Sequence, residues 1–160
     1  MVVILIFAAL AVALFTCAFL SRRRFGLLGL ALTAGATLSS IWGYYAGLVV
    51  SGTGLVPNGP LTNAVALSIV VLLPAILLLF HGYAYKQLIP RIIGSLLFTI
   101  LALAFLAEPL AYALPLTGLA NDIYQWIKNN YGLIVSVGVI LAVVDLFFTK
   151  PVKNERDKRR

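Results

Sequence analysis

The sequence is poor in the side chains that carry most protein chemistry. Its 160 residues hold one cysteine, one histidine and five acidic residues. Cys17 has no partner for an intrachain disulfide or a cysteine metal site. His81 stands alone, and a metal or haem needs further ligands of the right kind, so no cofactor is expected. There is no Asn-x-Ser/Thr acceptor. Gly52 and Gly54 lack the strand–loop–helix setting of a phosphate-binding loop. Ser51 and His81 fall in breaks on opposite sides of the membrane, which removes a serine-protease pairing. No hydrophilic stretch is long enough for a soluble catalytic domain, and no internal repeat is visible. These absences predict a protein that is not an enzyme.

What the chain has is apolar length. Hydrophobic residues make up 62% and charged residues 11%, with a mean hydropathy of +1.04. A bilayer core takes about 20 apolar residues of helix to cross. Runs of that order occupy residues 1–20, 25–50, 61–80, 92–114 and 132–148. The prediction is an all-α, polytopic integral membrane protein with five transmembrane helices, a single membrane domain over 1–149 and a basic tail over 150–160. Such a chain belongs in a membrane as a multi-pass protein, and the bacterial cytoplasmic membrane is the expected one.

The basic residues fall in alternate breaks. Arg22, Arg23 and Arg24 follow the first run, Lys86 and Arg91 follow the third, and six more lie in the tail. The fourth break has only Lys128, offset by Asp122. In a five-span chain the first break, the third break and the tail share one side, which the positive-inside rule places in the cytoplasm. The N-terminus is then outside and the C-terminus cytoplasmic. The net charge of +7 is therefore topological and does not point to nucleic acid. Arginines after the first run, with none before it, reverse the order of a cleavable signal peptide, so an uncleaved anchor is predicted.

Few polar residues enter the runs. Glu108 lies outward of the fourth run's midpoint, where an ionised carboxylate costs on the order of 3 kcal/mol on insertion scales. Such a residue is expected to face protein or water. Pro109 beside it frees the Phe105 carbonyl, and Tyr112, one turn on, is placed to donate to Glu108. Asp145 lies inward in the fifth run, too far from Glu108 in depth for paired acid–base chemistry, and Arg91, Lys86 or Lys150 is expected to neutralise it. This separation also removes an intramembrane aspartyl protease. Between the fourth and fifth runs, residues 121–131 read as a short amphipathic outer helix. It is capped by Asn121 or Asp122, with Ile123, Trp126, Ile127 and Tyr131 recurring at helical spacing. It is expected to anchor at the interface or to cover an outer cavity.

In the second run Ala31, Gly35, Ser39, Gly43 and Gly47 recur every four residues as a low ridge. Small residues allow the close backbone approach that drives helix association in lipid. The ridge is expected to pack against another span or, as the second reading, to join copies of the chain. Trp42, Tyr44 and Tyr45 suit an interface. The basic tail is expected to be attracted to anionic lipid headgroups.

Two segments resemble the colicin V production protein family. Phe19-Leu20-Ser21-Arg22-Arg23-Arg24-Phe25-Gly26-Leu27-Leu28-Gly29 is similar to that family's basic turn into a Gly-rich second span. Arg91-Ile92-Ile93-Gly94-Ser95-Leu96-Leu97 is similar to its later basic turn into a Gly-containing helix. The resemblance covers about residues 1–110. The fifth run departs from the family's four-span plan, and its early acidic residue is missing. The resemblance implies a small inner-membrane protein tied to secretion and envelope maintenance, with no catalytic residue to carry over. The expected function is a non-enzymatic accessory or structural component acting through helix packing, in a homo-oligomer or a larger membrane complex. The alternative is a small transporter or channel subunit using Glu108 as a proton or cation site.

Overall fold

Away from water, a backbone satisfies its amides most simply by hydrogen-bonding within a helix. A computed structural model of the chain describes residues 2–54, 59–80, 87–114 and 117–148. Every element among them is helical: α1 (Val2–Ser21), α2 (Phe25–Gly52), α3 (Pro60–Phe80), α4 (Leu88–Ala113), α5 (Leu119–Asn129) and α6 (Tyr131–Phe148). Helices α1 to α4 are each long and apolar enough to cross a membrane. The pair α5–α6, bent by 63°, makes a fifth when counted as one span. His81, Lys86 and the basic tail lie outside the described residues.

Two helix starts differ from the sequence expectation. Helix α4 begins at Leu88, not near residue 92, and takes in Pro90 and Arg91. Proline is tolerated in a first turn because its missing N–H would have no intrahelical partner there. Helix α5 begins at Leu119 because Gly118, at φ +57°, takes the N-cap position. That left-handed φ favours glycine. The Gly118 carbonyl accepts from Asn121 N at 2.9 Å and Asp122 N at 3.2 Å. Asn121 and Asp122, the expected caps, therefore sit inside the first turn, where Asp122 complements the helix dipole.

Helix α2 is the centre of the bundle. Phe25, Leu28 and Leu32 from α2 meet Val71 and Ala75 from α3, Phe98, Leu101, Ala102 and Phe105 from α4, Ala18 from α1 and Ala142 from α6. The small-residue ridge of α2 lies along α3. A methyl group added at Gly35 would collide with the Val71 carbonyl, one at Gly43 would come within 2.7 Å of Leu67, and one at Gly47 within 2.9 Å of Asn63 Oδ1. Ala31 is buried and Ser39 half-buried. A second small-residue face at the start of α2 receives α6. A Cβ on Gly26 would lie 2.6 Å from the Ala142 carbonyl oxygen, and one on Gly29 3.0 Å from Ala142 Cβ.

The basic turns gather at one end, where their side chains close helix termini. Arg23 Nε donates to the Leu79 carbonyl in the last turn of α3 at 2.9 Å. Arg91 Nε donates to the Phe19 carbonyl near the end of α1 at 2.6 Å, and its guanidinium stacks 3.7 Å from the Phe19 ring centroid. Cations at helix C-termini complement the dipole as well as the orphan carbonyls. Asp145 does the converse. Its Oδ2 accepts from Gly26 N at 2.9 Å, placing a carboxylate at the N-terminus of α2. Of the expected partners of Asp145, Arg91 is engaged by α1 instead, and the Gly26 amide is one donor that Asp145 meets. Lys86 and Lys150, the other expected partners, lie outside the described residues. Arg22 closes the α1–α2 turn at φ +55°, the left-handed conformation common just past a helix end.

Candidate functional site

Several hydroxyls within the apolar helices are satisfied locally, although the buried Ser68 Oγ is not. Thr16, Thr33, Thr37, Ser95 and Thr99 each donate to the carbonyl four residues back. This is the usual way for a span to hide such a group, and it leaves these side chains no evident chemical role. Among the described residues no three His, Cys, Asp or Glu side chains are grouped to hold a metal ion.

The acidic positions remain. Asp145 and Glu108 stand at opposite ends of the bundle. Asp145 caps α2 at the basic end, while Glu108 shares a cleft with Tyr131. Tyr131 and Asp145 are themselves separated by roughly 20 Å along α6 at the helical rise. Tyr112 lies in the last turn of α4, and its side chain is outside the described residues.

Glu108 is exposed, and it lines a cleft of about 480 Å³. The floor is a face of α4 on which Ala104, Ala107 and Ala111 recur at helical spacing. Their short side chains leave the space open. The wall comes from α5 and α6, through Tyr124, Ile127, Lys128 and Tyr131. The Tyr131 ring meets Phe105 edge-on, with centroids 6.1 Å apart, and this fixes the start of α6 against the core. Lys128 sits in the last turn of α5, where a cation is favourable.

The cleft thus holds a carboxylate and an ammonium. Among the described residues neither the Glu108 nor the Lys128 side chain forms a hydrogen bond or an ion pair. Toward the basic end the adjoining residues of α4 are closed: Leu101, Ala102, Phe105 and Leu106 are each no more than 6% exposed. These buried residues of α4 lie between the level of the cleft and the basic end. A larger cleft of about 770 Å³ between α2 and α3 has Tyr44 as the titratable side chain in its lining. Its lining includes Ser51 and Gly59; residues 55–58 lie outside the described residues.

Sequence reasoning singled out Glu108 but not its surroundings. Tyr124, Lys128 and Tyr131 recur at intervals of four and three, a signal that was available. The apolar face of α5 also divides differently from expectation. Ala120 is buried and Tyr124 and Ile127 are half-buried, whereas Trp126 is 62% exposed and Ile123 52%. Compared with protein-family models, curated proteins and solved structures, the chain matches none.

Proposed function

We propose that the chain is a multi-pass membrane protein without enzymatic activity. It acts as an accessory or structural component and carries a binding cleft at its extracytoplasmic end. The basic end lies in the cytoplasm, the N-terminus outside and the C-terminus inside, as the distribution of arginine and lysine favours. The bacterial cytoplasmic membrane is the proposed location, and the resemblance of residues 1–110 to the colicin V production proteins favours a role in the envelope.

The observation that carries this reading is the one-sided Glu108 cleft. A transport site needs access to both faces in turn, and here the buried apolar core of α4 lies behind the carboxylate. Asp145, the other intramembrane acid, is engaged by Gly26 at the far end and offers no second station. Because α3 occupies the ridge of α2, contacts with partners fall to other surfaces. Helix α1 offers one such surface, with Leu5, Val12 and Leu20 each at least 65% exposed.

Two measurements test this. Cysteines introduced at Asn58 and Lys153 in a Cys17→Ala background should react with an impermeant reagent from opposite sides, Asn58 from outside. Liposomes holding the purified protein should show no proton or cation leak above that of empty liposomes. A leak abolished by Glu108→Gln would overturn the accessory reading in favour of a conducting subunit.

A further inference from the structure

The cleft holds opposite charges in one lining without joining them. Glu108 and Lys128 line one space of about 480 Å³ and make no ion pair with each other. Two such groups facing a common opening complement a molecule that carries the reverse pair. The carboxylate receives an ammonium with N–H donors, and the lysine receives an anion. Tyr124 and Tyr131 supply hydroxyls in the same lining.

The cleft also has apolar surroundings that run out of it. Its walls Ala107, Tyr124 and Ile127 are shared with a narrow apolar crevice against Ile4 and Phe7 of α1. Leu114 at the end of α4 borders both the cleft and an apolar groove of about 680 Å³ between α1 and α3. The groove is floored by Leu106 and Leu110 of α4 and lined by residues of α3 from Leu61 to Leu77. It follows α3 for much of that helix, as an extended chain would. Exposed Trp42, Tyr44, Tyr45 and Trp126 lie toward this end of the molecule, and such rings favour the headgroup level of a bilayer.

From these features we infer that the cleft binds a zwitterionic headgroup in which a primary ammonium is linked to a phosphate, as in phosphoethanolamine. Glu108 takes the ammonium and Lys128 the phosphate. The acyl chains of the same lipid follow the apolar groove past Leu114. This rests on the proposal that the cleft is an extracytoplasmic binding site, and it adds the class of ligand. A headgroup with only the anion satisfies Lys128 and leaves Glu108 facing no cation. A quaternary ammonium brings charge but no N–H donor.

The test is native mass spectrometry of the protein in mild detergent, titrated with phosphatidylethanolamine, phosphatidylcholine and phosphatidylglycerol of identical chains, and with water-soluble phosphoethanolamine. One phosphatidylethanolamine should bind per chain, about fivefold more tightly than phosphatidylglycerol, the scale of one solvent-accessible charge pair. Phosphatidylcholine should fall between them. Glu108→Gln should bring phosphatidylethanolamine down to the level of phosphatidylglycerol and leave the latter unchanged. Lys128→Gln should weaken all three lipids. Ala111→Phe should fill the cleft and remove the bound lipid while keeping the melting temperature. Competition by phosphoethanolamine at the lipid's own affinity would assign the site to a free zwitterion. Equal binding of phosphatidylethanolamine and phosphatidylglycerol, or a preference that survives Glu108→Gln, overturns the inference. With no leak in the liposome experiment, that result leaves the accessory reading standing; a Glu108-dependent leak removes the reading itself.

Discussion

The two ends of the bundle solve the same problem differently. Every helix end leaves backbone groups without intrahelical partners. At the basic end these groups are met by side chains from distant parts of the chain: Arg23 to Leu79, Arg91 to Phe19, and Asp145 to the amide of Gly26. Charge there is consumed by the fold. At the opposite end α5 is capped by the backbone of Gly118, while Glu108 and Lys128 line an open cleft. The lesson is that a charged residue near a membrane helix is informative only once its partner is known. By composition alone the arginines and the glutamate look equally functional. By their contacts, Arg23 and Arg91 close helix ends, whereas Glu108 lines a cleft.

The strongest way to break this contrast is a matched pair of glycines. Gly26→Leu places a side chain against the Ala142 carbonyl and Leu146, both 2.6 Å from the first added carbon, and should cost about 3 kcal/mol. Gly132, at the open end, has no heavy atom within 4 Å of an added Cβ, so Gly132→Ala should stabilise by about 0.5 kcal/mol through helix propensity. Thermal unfolding in mild detergent reads both, and equal effects would erase the distinction between the ends.

Next come the acids. Asp145→Ala leaves the Gly26 amide without its acceptor and should cost about 2 kcal/mol. Glu108→Gln should change stability by less than about 0.5 kcal/mol, the scale of an exposed substitution. A destabilisation by Glu108→Gln as large as that by Asp145→Ala would make Glu108 a structural group. Arg91→Lys keeps the charge but loses the planar stack on Phe19, and should cost about 1 kcal/mol. A small gain belongs to Arg22. Arg22→Gly relieves a left-handed conformation and should gain about 0.5 kcal/mol, without changing how the cleft binds its ligand.

Much of this architecture is legible in the sequence, because a helix that avoids water announces itself by length and apolarity. The start of α4 was less so, since Pro90 reads as a break although the first turn accepts it. The face of α5 was legible as amphipathic, but not how it divides. A helix at the edge of a bundle meets apolar surroundings on two sides, and Ile123 and Trp126 are more than half exposed while Ile127 packs inward. The amide of Gly26 was not foreseen as a donor to Asp145, because a backbone amide carries no sequence signature. Lys128 was overlooked because its neighbour in the sequence, Asp122, seemed to balance it. The cleft it shares with Glu108 exists only after α5 folds back on α4. Gly26 and Gly29 were noted in a motif, but their close approach to α6 was not foreseen from two glycines three residues apart.

The contact between Asp145 and Gly26 also has a consequence in time. Its partners are 119 residues apart in the chain. At a synthesis rate of about 5–20 residues per second, roughly 6–24 seconds pass between the appearance of the two groups. During that interval the first amides of α2 have been made but the carboxylate that will meet them has not. Helices α1 to α4 can associate through the ridge and the two arginine contacts, all of which lie within the first 91 residues or so of the chain. Helix α6 follows these, and its aspartate reaches the Gly26 amide only after the first four helices have been made.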